Sequence, residues 1–197
     1  MSKKPLHLTI AHIVRIVSVP PVMVGILLTL LLLLRDDVFA TPVEFMASLT
    51  GLTILPVLAY PVSVMIPVLR RKGREGQRTL AMYVSTVGYV GVFVYGLIAQ
   101  VGTGLLHIYA GYLFSVIIIL VGNKVFKVRI SGHACSVSGP LVYSGYFLGM
   151  GGIIVGAICW GVILWASLVM KRHTFREFVF GTLTCVFSFT VAWVLFH

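Results

Sequence analysis

Runs of about twenty apolar residues, the length needed to cross the hydrocarbon layer as a helix, recur along this whole chain and restrict its fold more than any other feature. Seven can be read: Val14 to Leu34, Phe45 to Leu69, Thr79 to Val101, Leu105 to Val121, Gly132 to Met150, Ile153 to Met170 and Phe175 to Phe196. Only Gly102-Thr103-Gly104 separates the third from the fourth, and only Gly151-Gly152 the fifth from the sixth. With 59% hydrophobic and 10% charged residues in 197, the chain has too much apolar surface for a core of its own, and a bilayer has to serve as its solvent. Continuous runs rather than alternation exclude a membrane β-barrel. The expected fold is all-α: a polytopic transmembrane helical bundle, one integral domain over residues 1–197. The first run lacks a small-residue cleavage site and reads as a retained helix rather than a signal peptide.

The cations give this bundle an orientation. With seven spans, the N-terminal tail and the loops Arg70 to Arg78, Asn123 to Ser131 and Lys171 to Thr174 share one face. Counting residues just inside the span ends, that face holds fourteen of the fifteen Lys and Arg: Lys3, Lys4, Arg15, Arg70, Arg71, Lys72, Arg74, Arg78, Lys124, Lys127, Arg129, Lys171, Arg172 and Arg176. Arg35 stands opposite, beside Asp36 and Asp37. The positive-inside rule makes the loaded face cytoplasmic. A formal net charge of +10, spread over short loops without interleaved aromatics, points to anionic membrane lipids as partners and not to nucleic acid.

Two of these loops hold nearly all the reactive side chains. The first, Asn123-Lys124-Val125-Phe126-Lys127-Val128-Arg129-Ile130-Ser131-Gly132-His133, runs into a helix start. Ser131 can cap that helix, Gly132 admits close backbone approach, and free N–H groups, dipole and cations together have the parts of a phosphate cradle. The second, Lys171-Arg172-His173-Thr174-Phe175-Arg176-Glu177, opens the last span. Glu177 follows His173 by four residues, so a helix start presents both on one face, where a carboxylate can fix one imidazole tautomer. Both loops meet the same membrane face.

The stretch Arg129-Ile130-Ser131-Gly132-His133, followed by Lys171-Arg172-His173-Thr174 and Glu177, resembles the type 2 phosphatidic acid phosphatase superfamily over residues 123–181. The resemblance implies a six-helix phosphatase-like core and a lipid phosphate substrate, of phosphatidate or polyprenyl phosphate type. It also implies chemistry without metal or other cofactor. His133 would be the general acid, His173 the nucleophile that forms a phospho-histidine, and Glu177 the orienting carboxylate. Lys124, Lys127, Arg129, Ser131, Gly132 and Arg172 would bind the phosphoryl oxygens. The family's lysine and Arg-Pro pair are compressed here into Arg129 with either Lys124 or Lys127. Where the family carries an arginine six residues before the nucleophile, this chain has Ser167, and a phosphate-binding cation is missing at that position.

Other residues read more plainly. His7, His12, His107 and His197 are expected as polar tips in the headgroup layer, and Trp160, Trp165 and Trp193 as lipid-facing or interfacial aromatics. Cys135, Cys159 and Cys185 are odd in number and sit in apolar segments, so they are expected to be buried small residues. The cations of Arg70 to Arg78 are ascribed to orientation, the prolines of the first two spans to kinks, and the small residues of Gly145 to Gly156 to close helix packing. The competing function is a catalytically silent relative that binds or transports lipid. Transport calls for ionisable groups near mid-membrane, and these spans offer none. Transfer of the phosphoryl group to another acceptor through the same intermediate is a third reading.

Overall fold

The computed structural model describes residues 5–128 and 130–197. Arg129, Lys3 and Lys4, named above as cations, lie outside the described residues. Among the described residues all regular secondary structure is helical.

Proline shapes the first third of the chain. Helix α1 (Leu6–Val17) stops at Ser18, and α2 (Pro20–Leu34) restarts on Pro20 with its axis turned by 59°. Proline suits a first helical turn, where no amide donor is required, but it cannot continue an existing ladder. The kink expected from the prolines of the first span is a full break, and the stretch read as Val14 to Leu34 belongs to two helices, the first of which starts at Leu6. The next apolar run forms α3 (Pro42–Leu49), a π-helical turn over Thr50–Ile54 and α4 (Leu55–Met65). Pro56 has no N–H to offer the preceding turn, and the ladder widens there. Ile66 is extended, as a residue before proline prefers. The second span thus ends at Met65 rather than Leu69, and the short α5 (Pro67–Arg71) follows.

The remaining helices follow the hydropathy closely. They are α6 (Arg74–Ile98), α7 (Thr103–Lys124), α8 (Gly132–Val169) and α9 (Phe175–Phe196). Helix α8 is not one rod. Its 38 residues would extend about 57 Å if straight, yet His133 and His173, which flank it, have ring centroids 6.0 Å apart. The chain reverses at Gly149, whose φ of 66° and ψ of −146° are open essentially to glycine alone. Beyond the turn Ser144 Oγ donates to the Gly152 carbonyl at 3.4 Å, and the arms 132–148 and 150–169 pack antiparallel. Small residues from Gly145 to Gly156 permit this close approach. Five helices, counting α3 to α4 as one and α8 as one, are long and apolar enough to cross a membrane, and the bent pair α1 and α2 makes a sixth if it is one span. The chain is a helical membrane protein.

Buried Leu27, Leu28, Leu31, Leu105, Ile108 and Tyr109 belong to the main core. A smaller cluster, Ala134, Val137, Ile163 and Phe178, with Val14 and Trp160 packed against it, lies directly beneath the two reactive turns. The three thiols are free; Cys135 and Cys185 are buried as expected, whereas Cys159 is partly exposed. Trp165 and Trp193 are exposed. Trp160 is not a simple lipid-facing ring: it packs edge-on against Phe178, and its indole N–H donates to Thr182 Oγ1 at 3.0 Å. His107, expected in the headgroup layer, is fully buried, because α7 turns that face toward the aromatic rings of α8 and α9.

Candidate active site

Close packing of α8 against α9 brings the two reactive turns together. At Gly181 a Cβ would stand 2.5 Å from the Ser131 carbonyl oxygen, 2.8 Å from the Ala134 Cβ and 3.0 Å from the Cys135 nitrogen, so only glycine fits this crossing. The Ser131 amide donates to the Glu177 carbonyl at 3.4 Å and ties the two motif segments directly.

Both helix starts are capped by their own sequence. Ser131 Oγ accepts from the Ala134 amide at 3.1 Å, and Gly132 is the first residue of α8. Thr174 Oγ1 accepts from the Glu177 amide at 3.2 Å while Glu177 Oε2 accepts from the Thr174 amide at 3.1 Å, a reciprocal capping box. These bonds fix the Glu177 carboxylate with Oε2 3.8 Å from His173 Nδ1, an ion-pair distance. Nδ1 thus faces the carboxylate, which favours the tautomer that leaves Nε2 with a free lone pair.

The His133 and His173 rings are nearly parallel, 10° between planes at a centroid separation of 6.0 Å. A group held within about 3 Å of a nitrogen on each ring could touch both, the reach that proton transfer and in-line attack require. The His173 side chain is 12% exposed. Burial holds its imidazole below the ordinary value of 6.5; the Arg78 charge pushes the same way, Glu177 opposes it, and Arg15 adds to the lowering. His173 is therefore neutral near pH 7, the form that can attack.

The expected phosphate ligands divide. Ser131, Gly132, His133, His173 and Glu177 converge. Arg172 is exposed beside His173, its amide bonded to the Ser167 carbonyl at 3.1 Å, with Ser167 itself buried. Lys124 is directed to α6, where its Nζ donates to Tyr83 Oη at 3.2 Å and lies over the Tyr83 ring. Lys127 is exposed at a positive φ of 53°. Asn123 clasps the turn between α7 and α8, its Oδ1 accepting from the Ile130 amide at 2.8 Å. Arg129 lies outside the described residues.

Two cations that the sequence pattern ascribed to orientation alone, Arg15 of α1 and Arg78 of α6, add their charge to burial in disfavouring protonation of His173. A signal existed for Arg78: it follows Arg74 by four residues at a helix start, which sets both on one face. Among the described residues no three His, Cys, Asp or Glu side chains are grouped as a metal-ligand set. No family model, no curated protein and no solved structure matches the chain.

Proposed function

We propose that the protein is a membrane phosphatase that hydrolyses a lipid phosphate or diphosphate through a phospho-histidine intermediate at the cytoplasmic face. The observation that carries this reading is the meeting of His133 and His173, forty residues apart in sequence, as parallel rings 6.0 Å apart with Glu177 behind His173. The resemblance to the type 2 phosphatidic acid phosphatase superfamily supplies the roles. Counting the two arms of α8 separately and α1 with α2 as one broken span gives seven crossings, and with seven the basic turns share one face.

In the first step the His173 Nε2 lone pair attacks phosphorus, the bond from phosphorus to the leaving oxygen breaks, and His133 gives that oxygen its proton. Glu177 stabilises the charge that His173 acquires. In the second step water attacks phosphorus, His133 takes its proton back, the P–N bond breaks onto His173, and inorganic phosphate leaves. The helix N-termini at Gly132 and Phe175 direct amide hydrogens and dipole toward the developing negative charge. A lipid is the fitting substrate because the histidines sit where apolar helices end, so the headgroup reaches them while its tail stays in the hydrocarbon.

The test is phosphate release by the purified protein in detergent from phosphatidate and polyprenyl phosphates with EDTA present, alongside His173→Ala. Release that persists under chelation and disappears in the variant bears the reading out, as does an acid-labile phosphoryl adduct trapped on the wild-type chain. No release, or release indifferent to the substitution, transfers the assignment to a silent lipid-binding relative, a reading that Ser167 in place of a cation favours.

A further inference from the structure

A phenol in the interior of the bundle has its hydroxyl buried and unpaired. Tyr112 stands near the middle of α7 with its side chain 3% exposed, and its Oη meets no hydrogen-bond partner among the described residues. The ring is held between two others, tilted against Tyr89 with centroids 5.5 Å apart and stacked on Tyr143 at 6.1 Å. Helix α8 comes close on a further side, since a Cβ at Gly139 would stand 2.9 Å from the same oxygen. The hydroxyl is thereby fixed in place, away from bulk water by the depth of the hydrocarbon layer. A polar group left unpaired in such surroundings is costly.

A cavity among α7, α8 and α9 adjoins this hydroxyl. Its walls include Tyr112, Ser115, Cys135, Gly139, Tyr143 and Cys185, and the space open to the centre of a water-sized sphere is about 10 Å³. Gly139 is both a wall of the cavity and the close neighbour of Tyr112 Oη, so the hydroxyl ends at the cavity. The other wall oxygens have already given their hydrogens away: Ser115 Oγ to the Tyr112 carbonyl at 2.8 Å, and Tyr143 Oη to the His107 carbonyl at 2.9 Å. Both keep lone pairs, and the two thiol sulfurs are weak acceptors. The walls thus offer a donor that lacks an acceptor, together with acceptors that have capacity to spare. No charged side chain is among the described walls.

We infer that this cavity is the binding site of a single water molecule, which accepts the Tyr112 hydrogen and gives its own hydrogens to acceptors on the facing walls. The space admits one such molecule, and about three hydrogen bonds is the usual complement of a buried water. An ion would find no counter-charge there, and an apolar occupant would leave the phenol unpaired. Water held in this way bridges α7 to α8 and α9 beside Cys135, two residues beyond His133, and braces from below the helix pair that carries the reactive turns. The site is independent of the phosphatase reading and is measured without turnover.

The experiment uses the full chain, isotopically labelled at tyrosine Cζ and reconstituted in liposomes, and follows magnetisation passing from water to the tyrosine carbons by solid-state NMR. Tyr109 is the control, because it is fully buried and its hydroxyl is already paired with Ser48 at 2.6 Å. The two signals are identified as those lost in Tyr112→Phe and in Tyr109→Phe. Tyr112 is expected to receive magnetisation several times faster than Tyr109. Thermal midpoints in detergent give the second readout. Tyr112→Phe removes a hydroxyl bonded to water and should lower the midpoint by about 2–4 °C. A dry cavity demands the opposite sign, because deleting an unpaired buried hydroxyl relieves its cost. An unchanged or raised midpoint in Tyr112→Phe, or a Tyr112 carbon no faster than that of Tyr109, overturns the inference. The transfer is measured on the wild-type chain and decides the question where Tyr112→Phe does not fold, the signal then being identified as the one displaced in Ser115→Ala.

Discussion

Each end of this helical bundle holds a pair of histidines, and the two pairs are built for different work. At one end His107 and His197 have ring centroids 5.3 Å apart. They lie among Tyr143, Tyr146 and Phe189, with His107 Nε2 donating to the Phe189 carbonyl at 3.0 Å and the Tyr146 hydroxyl 3.1 Å from His197 Nε2. Arg35 lies nearby, donating to the Phe147 carbonyl and paired with Asp37. At the other end His133 and His173 are attended by arginines and a carboxylate, beside two capped helix starts. The separation within each pair is similar, so proximity alone does not mark a reactive pair. What differs is the company the rings keep: His107 gives its Nε2 hydrogen to a backbone carbonyl and packs between aromatic rings, with Nδ1 buried and without a partner among the described residues, whereas His173 has a carboxylate facing its Nδ1.

Substitution should separate the two ends sharply. His173→Ala is expected to reduce kcat by at least about a thousandfold, the scale on which nucleophiles and acid–base groups act, with little change in thermal midpoint. His107→Ala should do the reverse. It empties a fully buried site and leaves the Phe189 carbonyl without its side-chain donor, a loss of about 2–4 kcal/mol in stability, while the folded fraction keeps its turnover. Turnover abolished by His107→Ala in protein that remains folded would erase the distinction.

The next effect in size tests what holds the reactive pair together. Gly181→Val places branched carbon where α8 and α9 touch, with less than 3 Å to the Ser131 carbonyl oxygen and the Ala134 side chain. The helices must separate, at a cost of about 1–3 kcal/mol for overpacking. A displacement of 1 Å between the histidines is expected to cost about a hundredfold in kcat. Thr174→Ala is milder. It removes a capping-box partner for about 1 kcal/mol and loosens the carboxylate behind His173, and should lower kcat severalfold without abolishing it.

Much of this architecture is legible in the sequence because the bilayer enforces it. The bounds of α6, α7 and α9 follow hydropathy to within a few residues, and the Gly-rich stretch before Ile153 announces a reversal, although the turning residue is Gly149 and not Gly151 or Gly152. The pair His133 and His173 is legible because both flank one hairpin. The break at Ser18 is not, since proline permits either a kink or a restart and tertiary packing decides between them. Arg15 and Arg78 escape notice for a related reason: charge counting assigns a residue to a membrane face but not to a neighbour on that face. The burial of His107 depends on which side of α7 meets α8 and α9, which an apolar run with nearly uniform hydrophobicity does not specify.

The smallest effect discriminates most finely between the two ends, because it depends on the charges that only the reactive end possesses. His173 has its pKa lowered below 6.5 by burial, then by Arg78, against the opposing pull of Glu177. As a nucleophile it acts in its neutral form, so the acidic limb of kcat/KM, which reports the free enzyme, is expected below pH 6.5. Arg78→Gln removes a cation that disfavours protonation and should move that limb to higher pH. Glu177→Gln removes an anion that favours protonation and should move it to lower pH. Stability has the corresponding sign: a histidine whose folded pKa is depressed contributes fully above the unfolded value near 6.5, and its contribution declines as pH falls through that value toward the folded pKa. Profiles of kcat/KM for the three proteins check this, and limbs that shift together, or not at all, would show that neither charge acts on the nucleophile. His107→Ala, at the aromatic end, should leave the limb of the folded enzyme where it is, since neither Arg78 nor Glu177 acts through it.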